Sequence, residues 1–203
     1  VGMAVVKKQI NELNEYLQIR QRLEKAGIKL PPFNLHMMFL GNPGVGKTTI
    51  ARIIAKVLFD LGYIREEKLV EVTSKDLVSA YGNQTGIKTN KVIMNAMGGV
   101  LFIDEAYSLY RGENNEKDFG REALDTLIAE MENHRSDLVV IMAGYTDEMD
   151  MLMKGNAGLA SRMPYVIEFP NFTREQLYDI FVSMLGSKIK YEQDVLTAAK
   201  AYF

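Results

Sequence analysis

The feature of this sequence that most restricts its fold is a set of short, wholly apolar runs that alternate with patterns typical of helices. Residues 100–103 (Val-Leu-Phe-Ile) and 138–143 (Leu-Val-Val-Ile-Met-Ala) contain no polar side chain. A strand that is apolar at every position is buried on both faces, which is typical of a parallel sheet with helices packed on each side. We therefore predict a doubly wound α/β domain.

The other predicted elements follow the same alternation. Leu124, Leu127, Ile128 and Met131 occupy positions i, i+3, i+4 and i+7, which indicates one apolar face of a helix. Further strands are predicted at residues 36–40, 69–72 and 165–169, and helices at residues 5–25, 47–61, near 76, 88–97 and 120–134.

After Pro170 the pattern becomes purely helical, at residues 173–185 and again from 193 onward. We therefore predict two domains: a large α/β domain at residues 1–170 and the beginning of a small helical lid at residues 171–203. The sequence has no initiator Met and no tail composition, so we interpret it as a piece of a longer protein with an incomplete lid.

The composition excludes several classes of function. An apolar fraction of 47% and a charged fraction of 25% are those of an ordinary globular protein. A net charge of −2 gives no evidence for nucleic acid binding, and the absence of cysteine, with only His36 and His134, argues against a zinc site. No apolar run approaches the roughly 18 to 20 residues that cross a bilayer. We expect no membrane insertion and a cytoplasmic location.

Residues 41–48, Gly-Asn-Pro-Gly-Val-Gly-Lys-Thr, match the phosphate-loop pattern G-x-x-x-x-G-K-[ST] between a predicted strand and a predicted helix. Backbone N–H groups of such a loop bind phosphate oxygens, Lys47 neutralises the β and γ phosphates, and the Thr48 hydroxyl is a Mg²⁺ ligand. A chance match is expected in fewer than about 1% of chains of this length. The predicted nucleotide-binding residues are Asn42, Pro43, Gly44, Val45, Gly46, Lys47, Thr48 and Thr49.

Two acids, Asp104 and Glu105, directly follow the apolar run at residues 100–103. They would lie at the carboxyl end of a strand, the edge at which open α/β sheets bind ligands. We predict that Asp104 holds Mg²⁺ through its water shell and that Glu105 orients and deprotonates the attacking water. Alone, such a pair would more often be solvated surface acids, but the phosphate loop in the same chain favours catalysis.

Together these residues resemble the AAA+ ATPases, and within them the group that contains the CbbX-type red rubisco activases, the sporulation protein SpoVK and the EccA secretion ATPases. The resemblance covers nearly the whole chain. It is carried by residues 41–49, 88–89, 98–107, 122–123, 131–132, 143–145, 161–162 and 167–170. It implies a P-loop NTPase that binds ATP and Mg²⁺ between the subunits of a ring, usually a hexamer, and remodels a protein client.

The resemblance also implies roles for single residues. Arg162 corresponds to the arginine finger that reaches the γ-phosphate of the neighbouring subunit; without the resemblance it would be read as a surface arginine. Tyr145 stands where the family often has a sensor 1 Asn, although its hydroxyl could equally satisfy a hydrogen bond in the core.

Two further roles concern the protein client and the adenine of the nucleotide. Tyr81 matches the aromatic residue with which the family grips a client in the central pore, but Gly82 and Asn83 depart from the pattern, and a buried tyrosine is the alternative. The segment Val1-Gly2-Met3 resembles the lining of the adenine pocket, so Gly2 is a predicted nucleotide-binding residue and ATP is favoured over GTP. No candidate for a sensor 2 arginine is present.

Two other functions remain open alongside the remodelling ATPase. One is a different P-loop enzyme, such as a small-molecule kinase or a GTPase. The other is an interaction scaffold that binds ATP without efficient turnover, which Glu105 and Arg162 argue against. The identity of the client does not follow from the sequence.

Overall fold

The computed structural model describes residues 3–31, 33–79, 84–110 and 119–185, together with 198, 200 and 201. Its strands are β1 (Met37–Leu40), β2 (Leu69–Thr73), β3 (Val100–Asp104), β4 (Val139–Gly144) and β5 (Tyr165–Glu168). Its helices are α1 (Ala4–Lys25), α2 (Lys47–Asp60), α3 (Ser74–Leu77), α4 (Thr85–Ala96), α5 (Phe119–Asn133), α6 (Thr146–Gly155), α7 (Ala157–Ala160) and α8 (Arg174–Leu185), with a 3₁₀ helix at Ala106–Leu109.

The five strands form one sheet in the order β2-β3-β4-β1-β5, and every neighbouring pair is parallel. Strands β1 and β2 are consecutive in sequence but are not neighbours in the sheet, because β4 and β3 lie between them. The predicted parallel α/β sheet is confirmed.

Successive side chains of the central strands enter two separate cores, one on each face of the sheet. In β3, Leu101 and Ile103 pack with α4 and α5, whereas Val100 and Phe102 pack with α1 and α2. Strand β4 alternates in the same way; residues 139–143 are at most 3% exposed, and Gly144 is buried. This two-sided burial explains why β1, β4 and residues 100–103 of β3 contain no polar side chain.

Helix α1 packs on the α2 side of the sheet and brings the start of the described chain to the nucleotide edge. Val6 and Leu17 are fully buried, and the Tyr63 hydroxyl donates to the carbonyl oxygen of Leu17 at 2.9 Å. The Arg20 guanidinium stacks on the Phe33 ring at 3.9 Å and donates to the Pro31 carbonyl oxygen at 2.6 Å. The helix ends before Gly27, whose φ of +82° suits glycine.

Some boundaries differ from those predicted. Helix α4 begins at Thr85, three residues before the predicted start at Lys88, and β4 extends to Gly144. The 3₁₀ helix and helices α6 and α7 were not predicted. Each contains only one or two buried residues, so its apolar periodicity is weak.

Helix α8 follows the sheet, as predicted for the first lid helix, and none of its residues is buried. The predicted later lid helix, from residue 193, lies almost entirely outside the described residues. The division into domains 1–170 and 171–203 therefore stays a prediction. In the described part of the chain, no helix combines the length and apolarity required to span a bilayer.

Candidate functional site

The phosphate loop and both predicted acids meet at one edge of the sheet. Strands β3, β4 and β1 are neighbours, so their carboxyl ends lie side by side. The Gly41 N–H donates to the Gly144 carbonyl oxygen at 3.1 Å, which joins the loop after β1 to the end of β4. A cleft of about 340 Å³ opens there. Its lining is Gly41, Pro43, Gly44, Gly46, Lys47, Thr48, Thr49, Asp104, Glu105, Tyr107, Gly144 and Tyr145.

Two glycines allow the loop to adopt its shape. Gly46 precedes the first residue of α2 with φ +91°, a conformation that side-chain-bearing residues rarely adopt. A Cβ on Gly41 would lie 2.6 Å from the backbone oxygen of Phe169, so no other residue fits there. The loop therefore passes close to β5 and directs the amino terminus of α2, with its free N–H groups, into the cleft.

Lys47 is held inside the loop. Its side-chain nitrogen donates to the carbonyl oxygens of Gly41 (2.7 Å) and Asn42 (2.9 Å), and the residue is 8% exposed. Burial lowers the pKa of Lys47, and the Asp104 carboxylate partly offsets that effect. The amine thus lies near Asp104 and presents a partly desolvated cation at the cleft.

The other predicted loop residues divide into two groups. Pro43, Gly44, Gly46, Thr48 and Thr49 line the cleft, whereas Asn42 and Val45 do not. The Val45 side chain belongs to the core beneath the loop, and the Asn42 amide donates to the Asn171 side-chain oxygen at 2.8 Å. Any contact of Val45 with nucleotide would therefore involve its backbone.

Glu105 has an unusual backbone. Its φ is +50° and its ψ is +38°, and it is one of two non-glycine residues with positive φ in the described chain. Its N–H donates to Asp104 Oδ1 at 3.0 Å. A left-handed conformation costs a residue with a Cβ roughly 1 to 2 kcal/mol. Such strain often marks a functional position, and here it turns the chain sharply so that both adjacent acids line the cleft.

Tyr145 lines the cleft, as the sensor 1 role requires, and a second aromatic residue accompanies it. The rings of Tyr107 and Tyr145 lie 5.6 Å apart, inclined at 44°. Burial raises the pKa of the Tyr107 hydroxyl, and the Glu105 carboxylate adds to that effect. Sequence reasoning assigned no role to Tyr107. Its position two residues after Glu105 is the sequence feature that could have indicated a place in the cleft.

Arg162 lies away from this cleft. It follows α7 and precedes the amino end of β5, whereas the phosphate loop follows the carboxyl end of the neighbouring, parallel β1. The two are therefore separated by the length of a four-residue strand, about 13 Å. Its guanidinium contacts Glu132 on α5, with Nε 3.2 Å from Oε2, and its Nη1 donates to the Gly158 carbonyl oxygen at 2.9 Å.

The described start of the chain reaches the phosphate loop. A Cβ on Gly46 would lie 3.4 Å from the Met3 methyl carbon, so the Met3 side chain covers the loop. The predicted base-binding residue Gly2 precedes Met3 but lies outside the described residues, as does Tyr81. Their roles stay predictions.

The cleft fits a magnesium nucleotide rather than a metal held by protein alone. No cluster of three or more His, Cys, Asp or Glu side chains suited to a metal occurs among the described residues. Mg²⁺ at P-loop sites is bound by a hydroxyl, by phosphate oxygens and by a carboxylate through water. Thr48 and Asp104, both in the lining, are the predicted metal-binding residues and would supply such a hydroxyl and such a carboxylate.

Comparison with known proteins agrees with this arrangement. The chain is 45% identical to protein CbbX of Cereibacter sphaeroides over all 203 of its residues, which cover 65% of that protein. It is 48% identical to the chloroplastic ribulose bisphosphate carboxylase/oxygenase activase of Cyanidioschyzon merolae, with 91% of the chain and 63% of the relative covered. It is 44% identical to stage V sporulation protein K of Bacillus subtilis, with 93% and 58% covered.

The chain thus spans about three fifths of the length of the curated relatives that it matches. The predicted relationship to the CbbX and SpoVK group is confirmed. Residues 37–171, which include every strand, match the model of the ATPase family associated with various cellular activities (AAA). By its fold, its site and this match, the chain belongs to the AAA family.

Proposed function

We propose that this chain is the nucleotide-hydrolysing part of an AAA+ motor that uses ATP and Mg²⁺ to remodel a protein client within a ring of identical subunits. The observation that carries the proposal is the cleft itself. It brings Lys47, Thr48, Asp104 and Glu105 together, although the two pairs are far apart in the sequence.

The binding half of the site is formed by the loop and α2. The amino terminus of α2 carries a partial positive charge and free N–H groups, both suited to phosphate oxygens. Lys47 adds a full charge. Its present acceptors are only backbone carbonyls, so a charged γ-phosphate oxygen can compete for the same amine.

The hydrolytic half of the site is formed by the acids at the end of β3. Asp104 lies near Lys47 in the same cleft, and together with Thr48 it would hold Mg²⁺. Glu105 is directed to the cleft by its left-handed backbone and can accept a proton from a water held against the γ-phosphate. Bound Mg²⁺ would neutralise charge on the transferred phosphoryl group.

The position of Arg162 supports action between subunits. Within its own chain it lies at the opposite edge of the sheet from the phosphate loop, and it does not line the cleft. A subunit placed head to tail would bring its Arg162 edge against the nucleotide edge of the next subunit. The finger would then stabilise the charge that develops on the γ-phosphate.

A protein client is supported by the relatives. One is named as an activase of ribulose bisphosphate carboxylase/oxygenase and another as a sporulation protein. Only the first name gives a protein as the object of that relative's action, and the two names point to different pathways, so we propose a protein client and no particular one.

The proposal is tested with Lys47→Ala and Glu105→Gln in the full-length protein. Lys47→Ala loses the main cationic partner of the triphosphate, so ATP binding should weaken by at least about tenfold. Glu105→Gln keeps that partner and loses the base, so it should bind ATP normally while turnover falls by about 10² or more. Isothermal titration and phosphate release measure the two effects.

Asp150→Asn is the matched control, because it removes a carboxylate that pairs with exposed Lys154 on α6. It should leave both measurements unchanged. Equal ATP affinity of Lys47→Ala and the unmodified protein would overturn the phosphate-loop assignment. Full turnover by Glu105→Gln would favour a different catalytic base.

A further inference from the structure

Glu132 contacts two arginines at the end of α5. Its Oε2 lies 3.2 Å from Nε of Arg162, and its Oε1 accepts from Nη1 of Arg135 at 3.3 Å. All three residues line a small cavity of about 90 Å³, together with Asn34 and His36. One carboxylate therefore joins the proposed finger to a second cation.

The place of Glu132 in its helix is unfavourable for stability. It is the penultimate residue of α5, where the partial negative charge of the helix terminus repels a carboxylate. The last turn of α5 contains no basic residue that would offset the repulsion. Its two arginine partners come from outside the helix. The pair with Arg135 is exposed and the pair with Arg162 is partly exposed, and such pairs stabilise proteins little. Stability of α5 alone therefore does not account for a glutamate here.

The contacts of Arg162 engage one part of its guanidinium and leave another part open. Glu132 Oε2 lies 3.2 Å from Nε, an ion pair that lacks hydrogen-bond geometry, and the Gly158 carbonyl oxygen accepts a hydrogen bond from Nη1. Among the described residues, no acceptor is hydrogen-bonded to Nη2. A guanidinium held in this way has already lost much of the rotamer freedom of a free arginine, while one nitrogen stays available for a phosphate oxygen.

We propose that Glu132 is a positioning residue for Arg162: it holds the guanidinium at the subunit surface so that Nη2 meets the nucleotide of the neighbouring subunit. This inference rests on the proposed role of Arg162 as a finger acting between subunits. Glu132 itself touches no reacting atom. When Arg162 approaches the phosphate, Arg135 keeps the carboxylate partly neutralised on its other oxygen.

The test is Glu132→Gln in the full-length protein, with steady-state ATP turnover as the readout. We expect kcat to fall about threefold to tenfold, because the finger reaches its target from a wider range of conformations. The KM for ATP should change less than about twofold, because binding depends on the other edge of the sheet. Thermal unfolding should be unchanged within a few degrees, since relief of the helix-terminus repulsion offsets the lost pairs.

Two comparisons separate positioning from other effects. Asp150→Asn, which also removes the carboxylate of an exposed ion pair, should leave kcat unchanged. In an Arg162→Ala background, Glu132→Gln should cause no further loss, because the residue through which it acts is gone. A further loss there, or unchanged or faster turnover of the single variant, would overturn the inference.

ATP turnover by rings that contain two variants distinguishes a positioning role from a purely structural defect, which mixing would not relieve. Glu132→Gln subunits have an intact cleft, and Glu105→Gln subunits have an intact finger. Mixing them should raise turnover per Glu132→Gln subunit severalfold, whereas a defect confined to the subunit's own cleft would persist and overturn the inference. If Arg162→Ala alone keeps full turnover, the finger assignment fails and this inference fails with it. If Arg162→Ala loses turnover but Glu132→Gln does not, the finger assignment stands and only the inference about Glu132 fails.

Discussion

His36 is a single buried residue that joins three elements. It is 1% exposed and lies just before β1. Its Nδ1 accepts from the N–H of Val140 in β4 at 3.0 Å, and its Nε2 lies 3.3 Å from the Met131 carbonyl oxygen at the end of α5. This pattern requires the neutral ring, with the proton on Nε2, because a protonated Nδ1 would face the Val140 N–H. Burial lowers the pKa of His36 from 6.5 to about 4, although the hydrogen bond to the Met131 carbonyl acts in the opposite direction; Arg162 and Glu132 have smaller, opposing effects.

The lowered pKa of His36 predicts a pH-dependent stability. Below pH 6.5 the unfolded chain binds a proton that the folded protein does not accept until about pH 4. The free energy of unfolding contributed by His36 is therefore complete above pH 6.5 and is lost as the pH falls towards 4, by about 3 kcal/mol in all. Urea unfolding at a series of pH values should show this decline. It precedes the titration of Asp76 and Asp137, whose pKa values are lowered by hydrogen bonds from Thr73 and Arg65.

The substitution His36→Asn isolates the effect, because the asparagine oxygen can still accept from the Val140 N–H. We expect lower stability at pH 7 but a slope smaller by about 1.4 kcal/mol per pH unit between pH 6 and 4.5. His134→Gln is the control, since His134 is a partly exposed residue at the end of α5. Parallel curves for His36→Asn and the unmodified protein would contradict the prediction.

At the scale of single residues, the sequence predicted those whose chemistry is carried by a motif. Lys47, Asp104 and Glu105 were assigned from local spacing, and the cleft brings them together. Glu132 and Tyr107 lie in segments that carry the resemblance to the AAA+ ATPases, but the sequence indicated no role for either. Their contacts join residues 30 and 38 positions apart, Arg162 and Tyr145 respectively, and such distances leave no local pattern.

The junction between β4, the 3₁₀ helix and α6 allows no side chain at Gly144. A Cβ there would lie 2.7 Å from the Tyr107 ring and 2.8 Å from Cγ of Met149. Gly144→Ala should therefore reduce the free energy of unfolding by about 1 to 3 kcal/mol through overpacking. It should also weaken ATP turnover, since Tyr145 follows directly and lines the cleft. Thermal unfolding and phosphate release test both effects.

Gly158→Ala is the matched control for that substitution. In α7, a Cβ at Gly158 meets only side-chain atoms 3.7 Å or more away, so there is room for it. Alanine there should stabilise by about 0.5 to 1 kcal/mol, because glycine is the poorer helix former. The two substitutions should shift the unfolding midpoint in opposite directions, and a shift in the same direction would show that the space around Gly144 is not limiting.

At the scale of elements, strands were predicted better than helix ends. The central strands β1, β3 and β4 are buried on both faces and therefore form apolar runs in the sequence, whereas β2 and β5 are partly exposed. Helix α4 starts earlier than its local pattern indicates. Its second residue, Gly86, is a poor helix former, but its N–H, one of those that the first turn of a helix leaves free, donates to Glu122 on α5 at 2.9 Å. This acceptor lies 36 positions away in the sequence, so no local pattern indicates it.

At the scale of the whole molecule, Arg162→Ala tests whether subunits share their sites. If Arg162 acts between subunits as proposed, the variant should bind ATP nearly normally and lose turnover by about 10³ or more, because the charge on the γ-phosphate would lose its partner from the next subunit. Mixed with Glu105→Gln subunits, it should recover part of the activity, since one kind of interface then combines an intact Glu105 with an intact Arg162. Native mass spectrometry should first show that both variants occupy the same rings.

No recovery in such rings would mean that Arg162 acts within its own chain or not at all. Arg135→Ala is a useful comparison, because it removes the other arginine that contacts Glu132 while leaving Arg162 in place. It should reduce turnover far less than Arg162→Ala. An equal loss would assign the trans-acting charge to both arginines.

The parallel sheet gives each subunit a direction: nucleotide-binding groups lie at its carboxyl edge and Arg162 lies at its amino edge. An open row of head-to-tail subunits would contain one fewer completed site than it has subunits. At one end a cleft lacks the Arg162 of a neighbour, and at the other end an Arg162 has no neighbouring cleft to enter. Only a closed circle removes both ends. ATP turnover per subunit should therefore rise as the oligomer grows and stop rising once the ring is closed. A measurement of turnover per subunit would then show whether the ring is complete.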